Sequence, residues 1–268
     1  MASLSFLKFA AATNNGFIHA HGRKATDALI KIIDAQADER LLEIGCGTGF
    51  TAIKLLVSAD KKIHIDAVDA LPEMVRKAKQ NARFFRIRKG LSFQVSHIGE
   101  MLPYRDGSFD KIYWESVLGI QDTENFEPYL REVLRLLQPG GTCIMNETIW
   151  LPGITQQTVD ELNQYNLEQL GLRNATPTPM DRDGWIQAIE KIGFVLMHDK
   201  LVADAISNAT LDHPKENLFL LAQWQSRIKK YLMPHLALKN HQIKRKLRRF
   251  KNMPQVMEAR FFVFQKPG

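Results

Sequence analysis

The sequence predicts an α/β fold, a doubly wound sheet of mostly parallel strands wrapped by helices. Three observations predict it. Short apolar runs alternate with stretches of helical period from Thr26 onward, the pattern of strand and helix repeats rather than of hairpins. The first run, Leu41 to Ile44, ends in the glycine-rich turn Gly45-Cys46-Gly47-Thr48-Gly49, which opens a helix. The second, Ile63 to Val68, ends on Asp69, twenty positions after Gly49. One helix plus one strand fills that gap and brings the acid beside the turn.

Element by element, Ala28, Leu29, Ile32 and Ile33 recur at helical spacing and give a helix over Thr26 to Ala35 ahead of the first strand, Arg40 to Ile44. Thr51 to Ala59 continues from the turn as a helix whose first amides face the ligand. Pro72 to Phe85 is the next helix, with Pro72 in the first turn, where a missing N–H is harmless. Strand three covers Leu91 to Val95 and strand four Lys111 to Glu115. A helix then spans Phe126 to Leu137 and strand five Thr142 to Glu147.

Two insertions follow strand five, and these are where a substrate site would be built. The first, Thr148 to Arg182, holds a helix from Gln156 to Leu170 and a Pro177-x-Pro179 hinge. The second, Ala203 to Met257, separates strand six (Val195 to Asp199) from a last strand (Glu258 to Phe264). Within it Leu218, Leu221, Ile228, Tyr231 and Leu232 keep one helical face apolar until Pro234 interrupts. Ile243, Leu247 and Phe250 then line one side of a basic helix. No internal repeat or low-complexity tract is visible.

A chain of 268 residues with 45% hydrophobic composition can bury one sizeable core and needs no second domain. Two cysteines, Cys46 and Cys143, give neither a disulfide framework nor zinc spacing, so no metal site is expected and a reducing, cytoplasmic setting is the default. Met1 to Ala12 carries Leu4, Phe6, Leu7 and Phe9 but only Lys8 as a base; it is too short to span a membrane and lacks the charged start of a signal peptide. The net charge of +7 is uneven: ten Lys/Arg and no Asp/Glu lie between Asn217 and Val256, and the remainder is net acidic.

The spacing of the turn excludes two common ligands. A dinucleotide fingerprint wants glycine at the first, third and sixth places, and the sixth place from Gly45 is Phe50. A Walker loop needs Gly-Lys-Ser/Thr after its first glycine, and neither follows. What stands is Glu43-x-Gly45-x-Gly47-x-Gly49 at a strand end, which resembles motif I of the class I S-adenosylmethionine-dependent methyltransferases. Further along, Leu102-Pro103-Tyr104-x-Asp106-Gly107-Ser108-Phe109-Asp110 resembles the block that precedes strand four in the small-molecule (quinone, sterol and tocopherol) group of that family. Leu134-x-x-Leu137-x-Pro139-Gly140-Gly141 is similar to its turn into strand five, and Trp185 to Phe194 to its last core helix with a Gly-Phe exit.

The resemblance implies a Rossmann-like, seven-stranded sheet of order 3-2-1-4-5-7-6, last strand antiparallel, in a single methyltransferase domain over 1–268. Its parts would be an N-terminal lid segment (1–25), a cofactor core (26–147), an insertion (148–182), more core (183–200), a basic helical insertion (201–257) and the last strand (258–268). It also implies S-adenosyl-L-methionine as cofactor. Glu43 would lie beneath the turn near the cationic methionine end, Gly45, Cys46, Gly47, Thr48 and Gly49 would form the cradle, and Asp69 would accept both ribose hydroxyls, with Ala70 and Met74 beside it. Ile98 stands where the family carries an acid for the adenine amine, so backbone groups around Ile98, Gly99 and Glu100 would take that contact. Glu115 and Ser116, at the end of strand four, would face the methionine part.

Methyl transfer from a sulfonium is an in-line displacement that gains most from alignment and exclusion of water, so a protein base is needed only when the nucleophile must lose a proton. Glu115 and His19 are the catalytic candidates, His19 because an imidazole ahead of the first helix suits a general base. Each has a plain alternative: a solvated strand end for Glu115, a surface loop for His19 and its neighbour His21. Tyr104 and Gln121 are further candidates for the substrate side. An Asn-Pro-Pro-Tyr motif is absent after strand four, which argues against amino methylation of DNA or of protein glutamine.

The run Lys239 to Lys251 reads KNHQIKRKLRRFK. It suits a lid that recruits an anionic or lipophilic small molecule, with peripheral contact to an anionic membrane. An RNA methyltransferase using the run as its footprint is the first rival, weakened by the single aromatic, Phe250, inside it. A non-catalytic cofactor-binding module with an interaction surface is the second, and a merely solvated charged face is the plainest reading. The acceptor atom, carbon, oxygen or nitrogen, and the oligomeric state stay open.

Overall fold

The computed structural model describes residues 6–59, 61–96, 101–178, 181–208, 216–251 and 255–268. In chain order, α1 (Phe6–Thr13) and α2 (Gly22–Ile33) precede β1 (Arg40–Ile44). Then α3 (Phe50–Ser58), β2 (His64–Asp69), α4 (Pro72–Phe84), β3 (Leu91–Val95), β4 (Phe109–Glu115), α5 (Thr123–Leu136) and β5 (Leu137–Trp150) follow. The rest comprises α6 (Gln156–Leu170), α7 (Arg182–Ile192), β6 (Val195–Leu201), a short α8 (Val202–Ala205), α9 (Glu216–Leu232), α10 (Pro234–Lys251) and β7 (Met257–Gln265).

The seven strands form one sheet in the order β3-β2-β1-β4-β5-β7-β6, the order that the family resemblance implies. β1 runs parallel to β2 and β4, β2 to β3 and β4 to β5, whereas β7 is antiparallel to both β5 and β6. The carboxyl ends of β1, β2 and β4 therefore open at one edge of the sheet, with the order reversing between β1 and β4. That is where a doubly wound sheet leaves a crevice.

Alternation along the strands sorts the core into two layers. Leu41, Ile65, Ala67, Tyr113, Ile144 and Phe261 pack toward α2, α3 and α4. Their sequence neighbours Leu42, Ile112, Trp114, Met145 and Phe262 pack on the other side, toward α5 and α7. Both faces being covered explains why the strands read as nearly continuous apolar runs.

Several boundaries differ from the sequence expectations for identifiable reasons. α2 begins at Gly22 rather than Thr26, because His21 takes a left-handed backbone (φ 60°) that turns the chain into the helix early. α5 starts at Thr123, and β5 runs on to Trp150 because β7 pairs with it from Thr142 to Trp150, a partner from the far end of the chain. Three residues of the first insertion thus belong to the sheet. The proposed hinge at Pro177-x-Pro179 lies partly outside the described residues, since Pro179 is not among them.

The largest correction concerns α9. On the face that the spacing marks as apolar, Leu218 packs at the edge of the core but Leu221, Tyr231 and Leu232 are exposed, and Phe219 and Ala222 are the buried residues. Periodicity located an apolar stripe correctly but the opposite face docks. Pro234 separates α9 from α10, taking the first turn of the second helix. Ile243 is buried on the inner side of α10, while the side chains of Leu247 and Phe250 lie outside the described residues.

Candidate functional site

β1 delivers the chain into three consecutive positive-φ glycines, Gly45 (φ 71°), Gly47 (φ 52°) and Gly49 (φ 79°). Their reasons differ. A Cβ on Gly45 would stand 2.3 Å from Cγ2 of Val117, and one on Gly49 would meet Ala78 and the Phe93 ring at 2.8 and 2.9 Å. A Cβ on Gly47 would meet nothing within 4 Å. Gly45 and Gly49 therefore allow the protein to close on itself, and only Gly47 turns its bare backbone to open space. Gly49 accordingly packs behind the turn rather than lining the cavity.

Asp69 at the end of β2 holds this bend. Its Oδ2 accepts from the Gly47 N–H at 2.8 Å and its Oδ1 from the Leu71 N–H at 2.8 Å. A carboxylate offers about four lone-pair directions, so each oxygen keeps one for a ligand. Burial raises the Asp69 pKa, against the lowering effect of those two amides. Glu43, buried beneath the turn with Tyr113 Oη 3.4 Å from its Oε2, is pushed well above the usual carboxylate range by burial and by the nearby Glu115 charge. Burial also pushes the Cys46 thiol well up, with Glu43 and Asp69 adding to it. Such a thiol is a packing group, not a nucleophile.

Glu115 is the centre of a polar cluster. Its Oε1 accepts from Thr26 Oγ1 and Thr51 Oγ1, each at 2.9 Å, and its Oε2 accepts from Asn146 Nδ2 at 3.2 Å. His19 Nε2 lies 3.1 Å from the same Oε2, and both side chains are nearly enclosed, 5% and 6% exposed. The other ring nitrogen is 3.1 Å from the Ala20 carbonyl and 3.5 Å from Asn146 Nδ2. Neither plain alternative for these two residues describes this geometry. Thr26, Thr51 and Asn146 come from α2, α3 and β5, and no motif singled them out; only the assembled fold aims their three side chains at one carboxylate. His21 is exposed and outside the cavity lining.

Beyond Glu115 the chain turns sharply at Ser116, a non-glycine residue with φ 54° whose N–H donates to Asn146 O at 2.7 Å. Glu147 ties the following loop: it accepts from the N–H of Val117, Leu118 and Gly119 and from Trp114 Nε1, at 2.7 to 3.1 Å. Burial nevertheless raises its pKa to about 7. The loop so held presents Val117 and Ile120 to the cavity.

A cavity of about 210 Å³ joins these parts. Glu43, Gly45, Cys46, Gly47, Thr48, Asp69, Ala70, Met74, Glu115, Ser116 and His19 all line it, as does Gln121. Ile98, Gly99 and Glu100 lie outside the described residues. Tyr104 is elsewhere: it packs edge-on against Phe109, near Arg40 and Asp66 at the opposite end of the strands, and burial pushes its hydroxyl up to about 12. Phe6 and Leu7 of α1 close the cavity with Ile18, Ile120 and Leu172. α1 is fastened to the glycine turn, since Asn14 and Asn81 exchange side-chain hydrogen bonds (3.1 and 2.8 Å) and Asn81 also donates to Thr48 O at 2.8 Å. Among the described residues, no cluster of three His, Cys, Asp or Glu side chains could hold a metal.

This chain is similar to several known proteins. A family model described as a methyltransferase domain matches residues 35–231. An uncharacterized protein of Haemophilus influenzae is 30% identical over 173 residues, 65% of each chain. The 27-O-demethylrifamycin SV methyltransferase of Amycolatopsis mediterranei is 28% identical over 130 residues, 48% of this chain and 46% of that enzyme. The chain thus spans about half to two thirds of these relatives' lengths. Phosphoethanolamine N-methyltransferase 2 of Haemonchus contortus, solved with phosphomonomethylethanolamine and S-adenosylhomocysteine, superposes with a TM-score of 0.68 at 17% identity, over 98% of this chain and 57% of that one. At that identity the likeness speaks for the fold alone.

Proposed function

The chain belongs to the methyltransferase-domain family, and from that premise we propose that it transfers a methyl group from S-adenosyl-L-methionine to a small, lipophilic or anionic acceptor, leaving S-adenosylhomocysteine. One observation carries the reading: a single cavity puts the bare Gly47 backbone and the Asp69 carboxylate on one wall and an apolar lid of Phe6, Leu7, Ile18, Ile120 and Leu172 on another. The residues fit such a donor. Asp69 has lone pairs left for a vicinal diol, Gly47 admits a close approach, and the acids Glu43 and Glu115 favour a cationic group nearby. The donor brings an electrophilic methyl on a sulfonium; this chain has to align the acceptor and keep water out.

Glu115 acts on His19 rather than on the acceptor in this reading. Its four partners fix the carboxylate, and the carboxylate fixes the imidazole, which stands on the cavity wall ready to hold a proton that leaves an acceptor oxygen or nitrogen. Glu115 is then a positioning residue. The peripheral partner would be an anionic membrane surface, which the α9–α10 segment suits because it is cationic and its exposed face is largely apolar.

Calorimetry with S-adenosylmethionine, S-adenosylhomocysteine and NAD tests the cofactor, and labelled methyl incorporation into a lipid extract tests the transfer. Heat with the first two compounds and label in a lipid product are expected; heat with NAD alone would sink the proposal. Substituting His19→Gln should lower kcat on the order of a hundredfold with donor affinity unchanged, the size of a general-base contribution. A variant with wild-type kcat would remove His19 from the chemistry.

A further inference from the structure

The α9–α10 hairpin is apolar on two sides, and one of them faces outward. Phe219 and Ala222 of α9 dock on the body, Phe219 with its ring centroid 4.3 Å from Phe85 and 6.0 Å from Phe50. Leu220, Leu221, Trp224, Tyr231 and Leu232 lie on the opposite side, Trp224 59%, Tyr231 62% and Leu232 75% exposed. Their spacing places them on one stripe of the helix. Leu238, just past the connection, is 61% exposed. On α10, Leu236, Asn240 and Ile243 turn inward while Lys244 and Arg245 turn out.

Charge decides what covers the stripe. Ten Lys/Arg and no Asp/Glu occur between Asn217 and Val256. A second copy of this chain would set two such cationic segments against each other. A bilayer with anionic headgroups matches both properties at once, taking leucines into the acyl boundary, Trp and Tyr at headgroup depth and cations on the phosphates. The same hairpin holds the lid of the cavity: Leu236 and Ile243 pack with Phe9 of α1 and Leu170, while Phe6 and Leu7 of α1 line the cavity.

Building on the reading of the cavity as a site for a lipophilic acceptor, we infer that the hairpin docks on anionic lipid through the Leu221–Trp224–Leu232 stripe while carrying α1 on its inner side, so that a membrane-dissolved acceptor reaches the cavity past α1. α1 is thereby a gate that the hairpin carries, and the cations choose the surface.

Tryptophan fluorescence of the full chain tests this, because Trp114, Trp150 and Trp185 are fully buried and Trp224 is the one that lipid can reach. Vesicles of phosphatidylglycerol and phosphatidylcholine should bind the protein at least roughly tenfold more tightly than phosphatidylcholine alone, a modest share of what several cations supply. Emission should shift blue and be quenched by brominated acyl chains. Trp224→Phe should abolish the shift yet still sediment, and Leu221→Asp with Leu232→Asp should lose binding about tenfold or more with donor binding intact. Equal sedimentation with both vesicles, an unquenched Trp224, or a lipid-free dimer that buries it would overturn the inference. Donor calorimetry is run without lipid, so a missing heat there would fell the methyl-transfer reading alone while vesicle binding is judged separately.

Discussion

Asp69 carries two tasks at once. Its carboxylate already closes the glycine turn through Gly47 and Leu71, so Asp69→Ala should both weaken donor binding, by about 1–3 kcal/mol for the lost hydroxyl contacts, and loosen the bend. Unchanged donor affinity by calorimetry would count against the assignment. The glycines separate the same two effects. Gly47→Ala should lower donor affinity and cost in Tm only the strain of a side chain at φ 52°, because its Cβ enters open space, whereas Gly45→Ala adds to the same kind of strain a clash with Val117 and should unfold more readily. Equal Tm losses in the two variants would contradict that division. Cys46 and Gly49, read from the motif as part of the cradle, contribute to it differently, one as a buried neighbour of two acids and the other as a close-packing point between helix and strand.

Elements gain their function from where other elements fasten them. α1 is an eight-residue helix, too short to hold itself in water. It stays because Phe9 packs with Leu170, Leu236 and Ile243, Ala10 and Ala11 pack on Met74, and Asn14 grips Asn81. Asn14→Ala should therefore free the lid, raising hydrogen exchange over residues 6–13 and weakening donor binding several-fold for the loss of two hydrogen bonds of ~1 kcal/mol each. Wild-type exchange in that variant would show that packing alone suffices. The loop after β4 has no regular structure, and one side chain, Glu147, holds its Val117, Leu118 and Gly119 amides. Gly119 makes room for it: a Cβ there would stand 2.7 Å from Glu147 Oε2.

For the whole molecule, two carboxylates shape stability against pH with opposite signs. Glu147 has its pKa raised from 4.5 to about 7 by burial, so the folded state binds more protons in that window. Its contribution is fully present below pH 4.5 and lost as pH rises through about 7, on the order of 3 kcal/mol at about 1.4 kcal/mol per unit. Asp199 is lowered from 3.8 to about 2, first by Arg182 and then by Arg260; its contribution is present above pH 3.8 and lost as pH falls through about 2. The ligand-free protein should thus gain Tm on going from pH 7 to pH 5, and Glu147→Gln should flatten that slope. A wild-type slope in the variant, followed by differential scanning calorimetry, would show that other groups govern it. No helix of the described residues is long and apolar enough to cross a membrane.

What the sequence determined by itself was local: the strand that ends in Glu43-Ile44 ahead of Gly45, the acid that ends the next strand, and the helix start at Pro72 are each set by neighbours within a few residues. Strand order was legible through resemblance, since the motifs of successive strand ends are spelled out along the chain. Tertiary structure alone decided the rest. Thr26, Thr51 and Asn146 are unremarkable in sequence and meet at Glu115 only because α2, α3 and β5 converge there. The apolar stripe of α9 could be read but not its direction, because period fixes an angle around a helix axis and only packing against Phe50 and Phe85 fixes which side faces the core.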